Sequence, residues 1–113
     1  MADCIFCKIA SGSMPAKSVY ADDAIVAIED VNPQAPQHVL VMPRKHYPTL
    51  NDLTAGDAAL AGRLMEVAAS LGRQQAGESG FRIVVNTGEH GGQTVDHVHV
   101  HVLAGRRMTW PPG

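Results

Sequence analysis

Three of the six histidines stand at alternate positions in the segment His-Val-His-Val-His-Val-Leu, which occupies residues 97–103. Side chains of a β-strand alternate between its two faces with a rise of about 3.3 Å per residue, so like-facing imidazoles lie roughly 6.6 Å apart. The pattern predicts a strand over 97–103 that carries His97, His99 and His101 on one face and packs its valines on the other. Imidazole titrates near physiological pH, so such a row suits nucleophilic attack, proton transfer or metal binding.

The length of 113 residues accommodates one domain, which we predict to span 1–113. Charged residues make up 18% and hydrophobic residues 45% of the chain, a balance that excludes intrinsic disorder. The net charge of −2 and the scattered basic residues argue against nucleic-acid binding. Because the first residues do not resemble a signal peptide and no apolar run approaches the length of a membrane span, we expect a cytoplasmic protein without membrane contact.

A short helix is predicted at the N-terminus, from Cys4 to Ala10. Asp3 is a candidate N-cap, and Gly12 lies just beyond the expected end. The spacing places three apolar residues on the buried side of this helix, namely Ile5, Phe6 and Ile9.

Five apolar segments bounded by turn residues predict strands, at 18–20, 24–28, 38–42, 81–86 and 97–103. Thr54 and Asp57 have the spacing of a capping box and predict the start of one long helix. Its apolar stripe continues to Leu71, and Gly77 lies beyond its end. One long helix among five strands indicates an α+β domain in which that helix, with the short N-terminal one, accompanies a largely antiparallel sheet.

The two cysteines, Cys4 and Cys7, form a CxxC pair. A disulfide across so short a loop would add little stability, and the absence of a preceding strand disfavours a thioredoxin-like redox pair. Zinc is the favoured interpretation, although CxxC supplies only two of the four ligands that a structural site needs.

A glycine-containing loop, Gly-Glu-His-Gly-Gly-Gln-Thr over residues 88–94, leads into the histidine segment. Glycines let a backbone approach an anion closely, and the Gln and Thr side chains add hydrogen-bond donors, so phosphate is the expected anion. Attack by an imidazole on phosphorus would form a covalent phosphohistidine-type intermediate. His99, the middle histidine, is the candidate nucleophile, and His101 is placed to donate to the phosphoryl oxygens or the leaving group.

Five segments together resemble the histidine-triad (HIT) superfamily, specifically its Hint branch of purine nucleoside phosphoramidases, over essentially the whole chain. They are the HxHxHxL run, the GGQT before it, the VVN at the end of the fourth strand, the APQH before the third strand and the terminal WPPG. The resemblance implies a HIT-like fold and hydrolysis of the P–N bond in purine nucleoside 5′-phosphoramidates, without an organic cofactor. It also implies a nucleotidyl-histidine intermediate that releases a nucleoside monophosphate.

The resemblance implies a role for individual residues. His99 is the expected nucleophile, His101 contacts the phosphate and His38 orients the catalytic imidazole by hydrogen bonding. Asp30 matches the carboxylate that holds the ribose hydroxyls. The other matched positions surround the phosphate and leaving group (Asn86, Gln93 and the catalytic Thr94) or line the purine pocket (Ile5, Phe6, Ile9, Met14 and Leu40).

The resemblance further implies a structural zinc ion held by Cys4, Cys7, His46 and His97, the alternative being reduced thiols packed without metal. It also implies a homodimer in which the tail bearing Trp110 lies near the neighbour's active site. An exposed tryptophan on a proline-stiffened tail would be costly in a monomer, which favours the same conclusion.

Two residues depart from the branch pattern: Thr94 replaces a usual serine, and Asp96 replaces a common aromatic residue. The added methyl of threonine restricts its hydroxyl, and a carboxylate before His97 would either face solvent or raise a histidine pKa. Three other functions remain open: a dinucleoside polyphosphate hydrolase, against which the WPPG tail argues, a zinc hydrolase in which HxHxH binds a catalytic metal, and a nucleotide-binding interaction module with incidental catalysis.

Overall fold

A five-stranded sheet forms the centre of the protein in a computed structural model, which describes residues 3–113. The spatial order of the strands is β1-β2-β3-β5-β4, and each neighbouring pair is antiparallel. The predicted α+β class and antiparallel sheet are therefore confirmed. The strands are β1 (Ser18–Ala21), β2 (Ile25–Glu29), β3 (Gln37–Pro43), β4 (Phe81–Val84) and β5 (Val100–Ala104).

Two α-helices accompany the sheet: the short α1 (Ile5–Ala10) and the long α2 (Ala58–Ala76). The predicted capping box of Thr54 and Asp57 is present, but it starts a 3-10 turn, Ala55–Asp57, and α2 begins after that turn. Over the described residues 3–113, neither helix has the combination of length and apolar character that crossing a membrane requires.

The two faces of the sheet pack against different helices, because side chains alternate along each strand. On one face, α2 packs Leu64, Val67 and Leu71 against alternate residues of β2, β3 and β5. Gly72 allows close approach there, since a Cβ at this position would lie 2.6 Å from the Phe81 ring. On the other face, a smaller cluster joins α1 to the sheet and consists of Phe6, Val26, Ile28, Leu40 and Met42.

The histidine strand is shorter than predicted, since β5 begins at Val100 and leaves His97 and His99 before it. The segment 97–99 bonds to a loop instead of a sheet ladder: the Val98 N–H donates to the Tyr47 carbonyl at 2.7 Å. The fourth strand likewise ends at Val84 and not at residue 86.

The N-cap of α1 was predicted at the wrong residue. Cys4, and not Asp3, caps the helix, because the Cys4 sulfur accepts a hydrogen bond from the Cys7 N–H at 3.4 Å. The helix accordingly starts at Ile5.

Candidate active site

A cavity of about 400 Å³ opens on the α1 side of the sheet. It lies between α1, the loop that follows β2 and the segment that leads into β5. The structure brings many of the predicted catalytic and binding residues to this cavity: Ile5, Phe6, Ile9, Asp30, His38, Leu40, Thr94, His99 and His101.

One hydrogen bond fixes the imidazole of the buried His99. Its Nδ1 lies 2.7 Å from the backbone carbonyl oxygen of His97. A carbonyl only accepts, so Nδ1 carries the proton and the Nε2 lone pair remains free. The edge-on contact between the rings of His99 and Phe6, with centroids 5.1 Å apart, further restricts rotation of the imidazole. With Nδ1 bonded to the carbonyl, Nε2 is the ring atom that can act as base or nucleophile.

A second pair of imidazoles lies beside His99. The Gln34 N–H donates to His38 Nδ1 at 3.0 Å, so His38 carries its proton on Nε2. That Nε2–H donates to His101 Nδ1 at 2.9 Å. His101 in turn carries its proton on Nε2, where the N–H is free to donate to a ligand. The ring centroid of His101 lies 5.0 Å from that of His99.

The structure corrects the predicted partner of His38, which hydrogen-bonds to His101 and not to the candidate nucleophile. The register of β3 and β5 explains this arrangement. Leu40 pairs with His101 and His38 pairs with Leu103, so His38 and His101 are diagonal neighbours on one sheet face. His99 lies before the ladder begins and takes a backbone partner instead.

Burial lowers the pKa of both imidazoles of this pair. It lowers the pKa of His101 to about 4, assisted by the charges of His99 and His38 and opposed by Asp30. Burial also lowers the pKa of His38, again against the attraction of the Asp30 carboxylate. Neutral rings are the state in which the observed N–H to N hydrogen bond forms.

Asp30 lies at the cavity wall with its two oxygens in different environments. Oδ1 accepts from the Asn32 N–H at 2.9 Å, whereas Oδ2 lies 3.4 Å from His38 Nε2. The first contact orients the carboxylate, and Oδ2 retains acceptor capacity towards a ligand hydroxyl.

A separate cluster of possible metal ligands includes His97. The sulfurs of Cys4 and Cys7 and the Nδ1 atoms of His46 and His97 all lie within 4.8 Å of one another. Four of these separations are 3.2 to 3.6 Å. Tetrahedral zinc with Zn–N and Zn–S bonds of about 2.0 to 2.3 Å separates its ligand atoms by roughly 3.3 to 3.8 Å. His97 Nε2–H donates to the Pro43 carbonyl at 2.8 Å, which leaves the Nδ1 lone pair directed at the cluster. The donor set therefore fits zinc.

Three predicted residues lie outside the cavity. Met14 lines a neighbouring groove, and Asn86, which follows β4, is not among the residues that line the cavity. The Gln93 amide donates to the Pro48 carbonyl at 2.7 Å and to the Val95 carbonyl at 3.0 Å. This amide braces the loop instead of facing the cavity.

Two further differences concern the cavity wall. Ile5 was predicted on the buried side of α1 but is 43% exposed, because its side chain lines the open cavity. Gln34, which contacts His38 through its backbone, was not singled out from the sequence. Its position just before Pro36 and His38 was the available signal.

A family model described as "HIT domain" matches residues 11–108. The purine nucleoside phosphoramidase of Escherichia coli K12 is 43% identical over 92% of this chain and 88% of its own length. An uncharacterized HIT-like protein of Synechocystis is 50% identical over 98% of this chain and 97% of its own.

Solved structures give the same relationship. A HIT family hydrolase from Legionella pneumophila superposes with a TM-score of 0.94 at 46% identity, covering 98% of this chain and 100% of that one. A Zn-bound histidine triad family protein from Mycobacterium smegmatis superposes with a TM-score of 0.79 at 34% identity, covering 93% and 76%.

Proposed function

This chain belongs to the HIT-domain family, and we propose that it is a purine nucleoside phosphoramidase that releases a nucleoside monophosphate from its amine conjugate. The identity with the E. coli enzyme supports the reaction class. The observation that carries the mechanism is the hydrogen bond from His99 Nδ1 to the His97 carbonyl, since it leaves Nε2 as the nucleophilic atom at the cavity.

In the proposed reaction, His99 Nε2 attacks phosphorus and the P–N bond to the amine breaks. The amine leaves with its electron pair and takes a proton from a donor at the site. The nucleotidyl-imidazole keeps its Nδ1 proton, which the His97 carbonyl continues to accept as positive charge develops on the ring. Water then attacks phosphorus and gives up a proton that restores the donor, the bond to Nε2 breaks, and nucleoside monophosphate is released.

His101 is the proposed hydrogen-bond donor to the phosphoryl oxygens or the leaving amine. The His38 Nε2–H occupies its Nδ1, and this places the remaining His101 proton on Nε2. The Thr94 hydroxyl, also at the cavity, is a second donor candidate. Asp30 Oδ2 would accept from ribose hydroxyls, and the apolar wall of Ile5, Phe6, Ile9 and Leu40 would take the purine.

The direct test follows the covalent adduct by intact-protein mass spectrometry, with release of AMP from an adenosine phosphoramidate measured in parallel. We expect the unmodified protein to gain one AMP transiently, and His99→Ala and His99→Gly to show neither adduct nor turnover. His90→Ala is the matched control, because His90 is an exposed loop histidine. Undiminished turnover in the His99 variants would refute the proposal.

Further measurements separate the competing functions. A dinucleoside polyphosphate hydrolase would turn over a diadenosine polyphosphate faster than the phosphoramidate. A catalytic metal on the HxHxH run would make turnover depend on metal in protein that remains folded. A binding module would bind nucleoside monophosphate and keep its cellular role after His99→Ala.

We further propose that zinc occupies the cluster of Cys4, Cys7, His46 and His97. The separations of the ligand atoms and the free Nδ1 lone pair of His97 support this proposal. When bound, zinc supplies a structural crosslink among α1, the loop after β3 and the segment before β5. We expect about one zinc per chain in protein purified without chelator, and a lower content and melting temperature in Cys7→Ser. Metal-free protein of equal thermal stability would contradict the assignment.

A homodimer with the Trp110 tail near the partner's site is the remaining proposal. Trp110 is 81% exposed in the single chain, and β4 lies at an edge of the sheet. We expect sedimentation to give a dimer. We also expect dimers that combine a His99→Ala chain with a chain lacking residues 109–113 to be active, because the intact tail then serves the intact nucleophile. Inactive mixed dimers would argue against the tail acting on the partner's site.

A further inference from the structure

We propose that Arg106 is a positioning residue for the reaction above: it holds the backbone of Gln34, whose N–H fixes the tautomer of His38. The inference rests on the proposed function insofar as it assigns a catalytic use to His101. Its structural part, the proton position on His38, stands independently of any substrate.

Three consecutive hydrogen bonds connect the surface to the cavity. Arg106 Nε donates to the Gln34 carbonyl at 3.1 Å. The Gln34 N–H donates to His38 Nδ1 at 3.0 Å, and His38 Nε2–H donates to His101 Nδ1 at 2.9 Å. The backbone of Gln34 therefore makes both contacts: its carbonyl accepts from Arg106, and its N–H donates to His38.

Few hydrogen bonds hold the segment that carries Gln34. Pro33 and Pro36 flank it and have no N–H to donate. The neighbouring bonds are local, from the Gln34 amide to the Asn32 carbonyl and from the Asn32 N–H to Asp30. Among the hydrogen bonds of the described chain, the bond from Arg106 is the one that connects residues 31–36 to a segment distant in sequence.

The chemistry of the imidazoles shows what this support achieves. If the Gln34 N–H moves away, His38 can place its proton on Nδ1, and its Nε2 then only accepts. His101 would have to move its own proton to Nδ1 to keep the 2.9 Å contact. Nε2 of His101 would then lack the N–H that hydrogen-bonds to the phosphate or the leaving amine.

The contacts of Arg106 do not indicate a role in ion pairing. No ion pair involves Arg106 within residues 3–113, and its second hydrogen bond goes to the Arg107 carbonyl at 3.3 Å. Both partners of this guanidinium are backbone oxygens, which suits a role in holding a loop.

The test compares full-length Arg106→Ala and Arg106→Lys with Arg107→Ala. Arg107 is the matched control because it is an exposed neighbour of equal charge. The readouts are kcat and KM with an adenosine phosphoramidate, and the ring ¹⁵N shifts of His38, which distinguish a protonated from an unprotonated Nδ1.

We expect Arg106→Ala to lower kcat about tenfold, the lower end of the effect known for partners that orient metal-ligating histidines, with KM little changed. The His38 shifts should move from a pure Nε2–H pattern towards an average of the two tautomers. Arg106→Lys, which keeps a donor, should recover part of both signals, and Arg107→Ala should match the unmodified protein.

Wild-type kcat together with an unchanged His38 tautomer in Arg106→Ala would overturn the inference. So would an equal loss in Arg107→Ala, which would reveal a general charge effect. If the unmodified protein has no phosphoramidase activity, the proposed function fails while the ¹⁵N comparison still decides whether Arg106 positions His38.

Discussion

Replacing His101 with glutamine should reduce the loss of stability that this protein suffers on acidification. Burial first, and then the charges of His99 and His38, lower the pKa of His101 from 6.5 to about 4, although Asp30 opposes the shift. The unfolded chain has no such environment, so its His101 titrates near the ordinary value of about 6.5. Between about pH 6.5 and about pH 4 the unfolded chain therefore binds a proton that the native protein does not, and native stability falls as the pH falls.

The magnitude follows from the two pKa values. At about 1.4 kcal/mol per pH unit, the difference between 6.5 and about 4 corresponds to about 3 kcal/mol. The imidazole is only half-buried, and solvent screening reduces the expected contribution to about 1.5 kcal/mol. Above pH 6.5 this contribution is fully present, and near pH 4 it is lost.

The assay is urea unfolding at a series of pH values from 7.5 to about 4.5, with the free energy of unfolding extrapolated to water. Glutamine keeps an acceptor for the His38 Nε2–H but does not titrate. His101→Gln should lose about 1.5 kcal/mol less than the unmodified protein over this range, whereas the exposed control His90→Gln should follow the unmodified protein. Equal losses in His101→Gln and the unmodified protein would refute the reasoning.

Two glycines in α2 and one in the loop before the histidine segment give further predictions. Gly72→Ala should lower the free energy of unfolding by about 1 to 3 kcal/mol in urea melts, because its Cβ would lie 2.6 Å from the Phe81 ring. Gly62→Ala, whose Cβ would meet no atom within 4 Å, should instead raise it by up to about 1 kcal/mol, and a loss at both positions would contradict this contrast. Gly91→Ala would place a Cβ 2.4 Å from the Thr87 carbonyl oxygen, so steady-state kinetics should show kcat/KM falling by about tenfold or more as the loop shifts. An unchanged kcat/KM would show that this loop does not position the site.

The elements predicted from the sequence were those that side-chain patterns specify. The alternating valines and histidines indicated a strand and grouped the histidines, and the apolar stripe through Leu71 indicated α2. The start of β5 at Val100 was not predictable in this way, because it depends on the bond between Val98 and the Tyr47 carbonyl. A backbone partner more than fifty residues away does not alter the local pattern of apolar and polar side chains.

In the candidate site, too, side-chain chemistry could be predicted and backbone contacts could not. His99 and His101 could be singled out from the sequence by the chemistry of their side chains, and Asp30 and His38 by the family resemblance. The tautomers of the histidines could not, since they follow from the backbone carbonyl of His97 and the backbone N–H of Gln34. Every residue type except proline presents these same backbone groups, so only their placement in three dimensions distinguishes them.

The sulfur of Cys4 both caps α1 and faces the metal-ligand cluster, and this limits how the protein can diverge. The Cys7 side chain takes no part in capping this helix, so a descendant that no longer binds the metal could replace Cys7 with other residues. Position 4 would still need an acceptor for the Cys7 N–H, whose loss costs a helix about 1 kcal/mol. In metal-free descendants we therefore expect serine, threonine, asparagine or aspartate where Cys4 stands, even after the rest of the ligand set has disappeared.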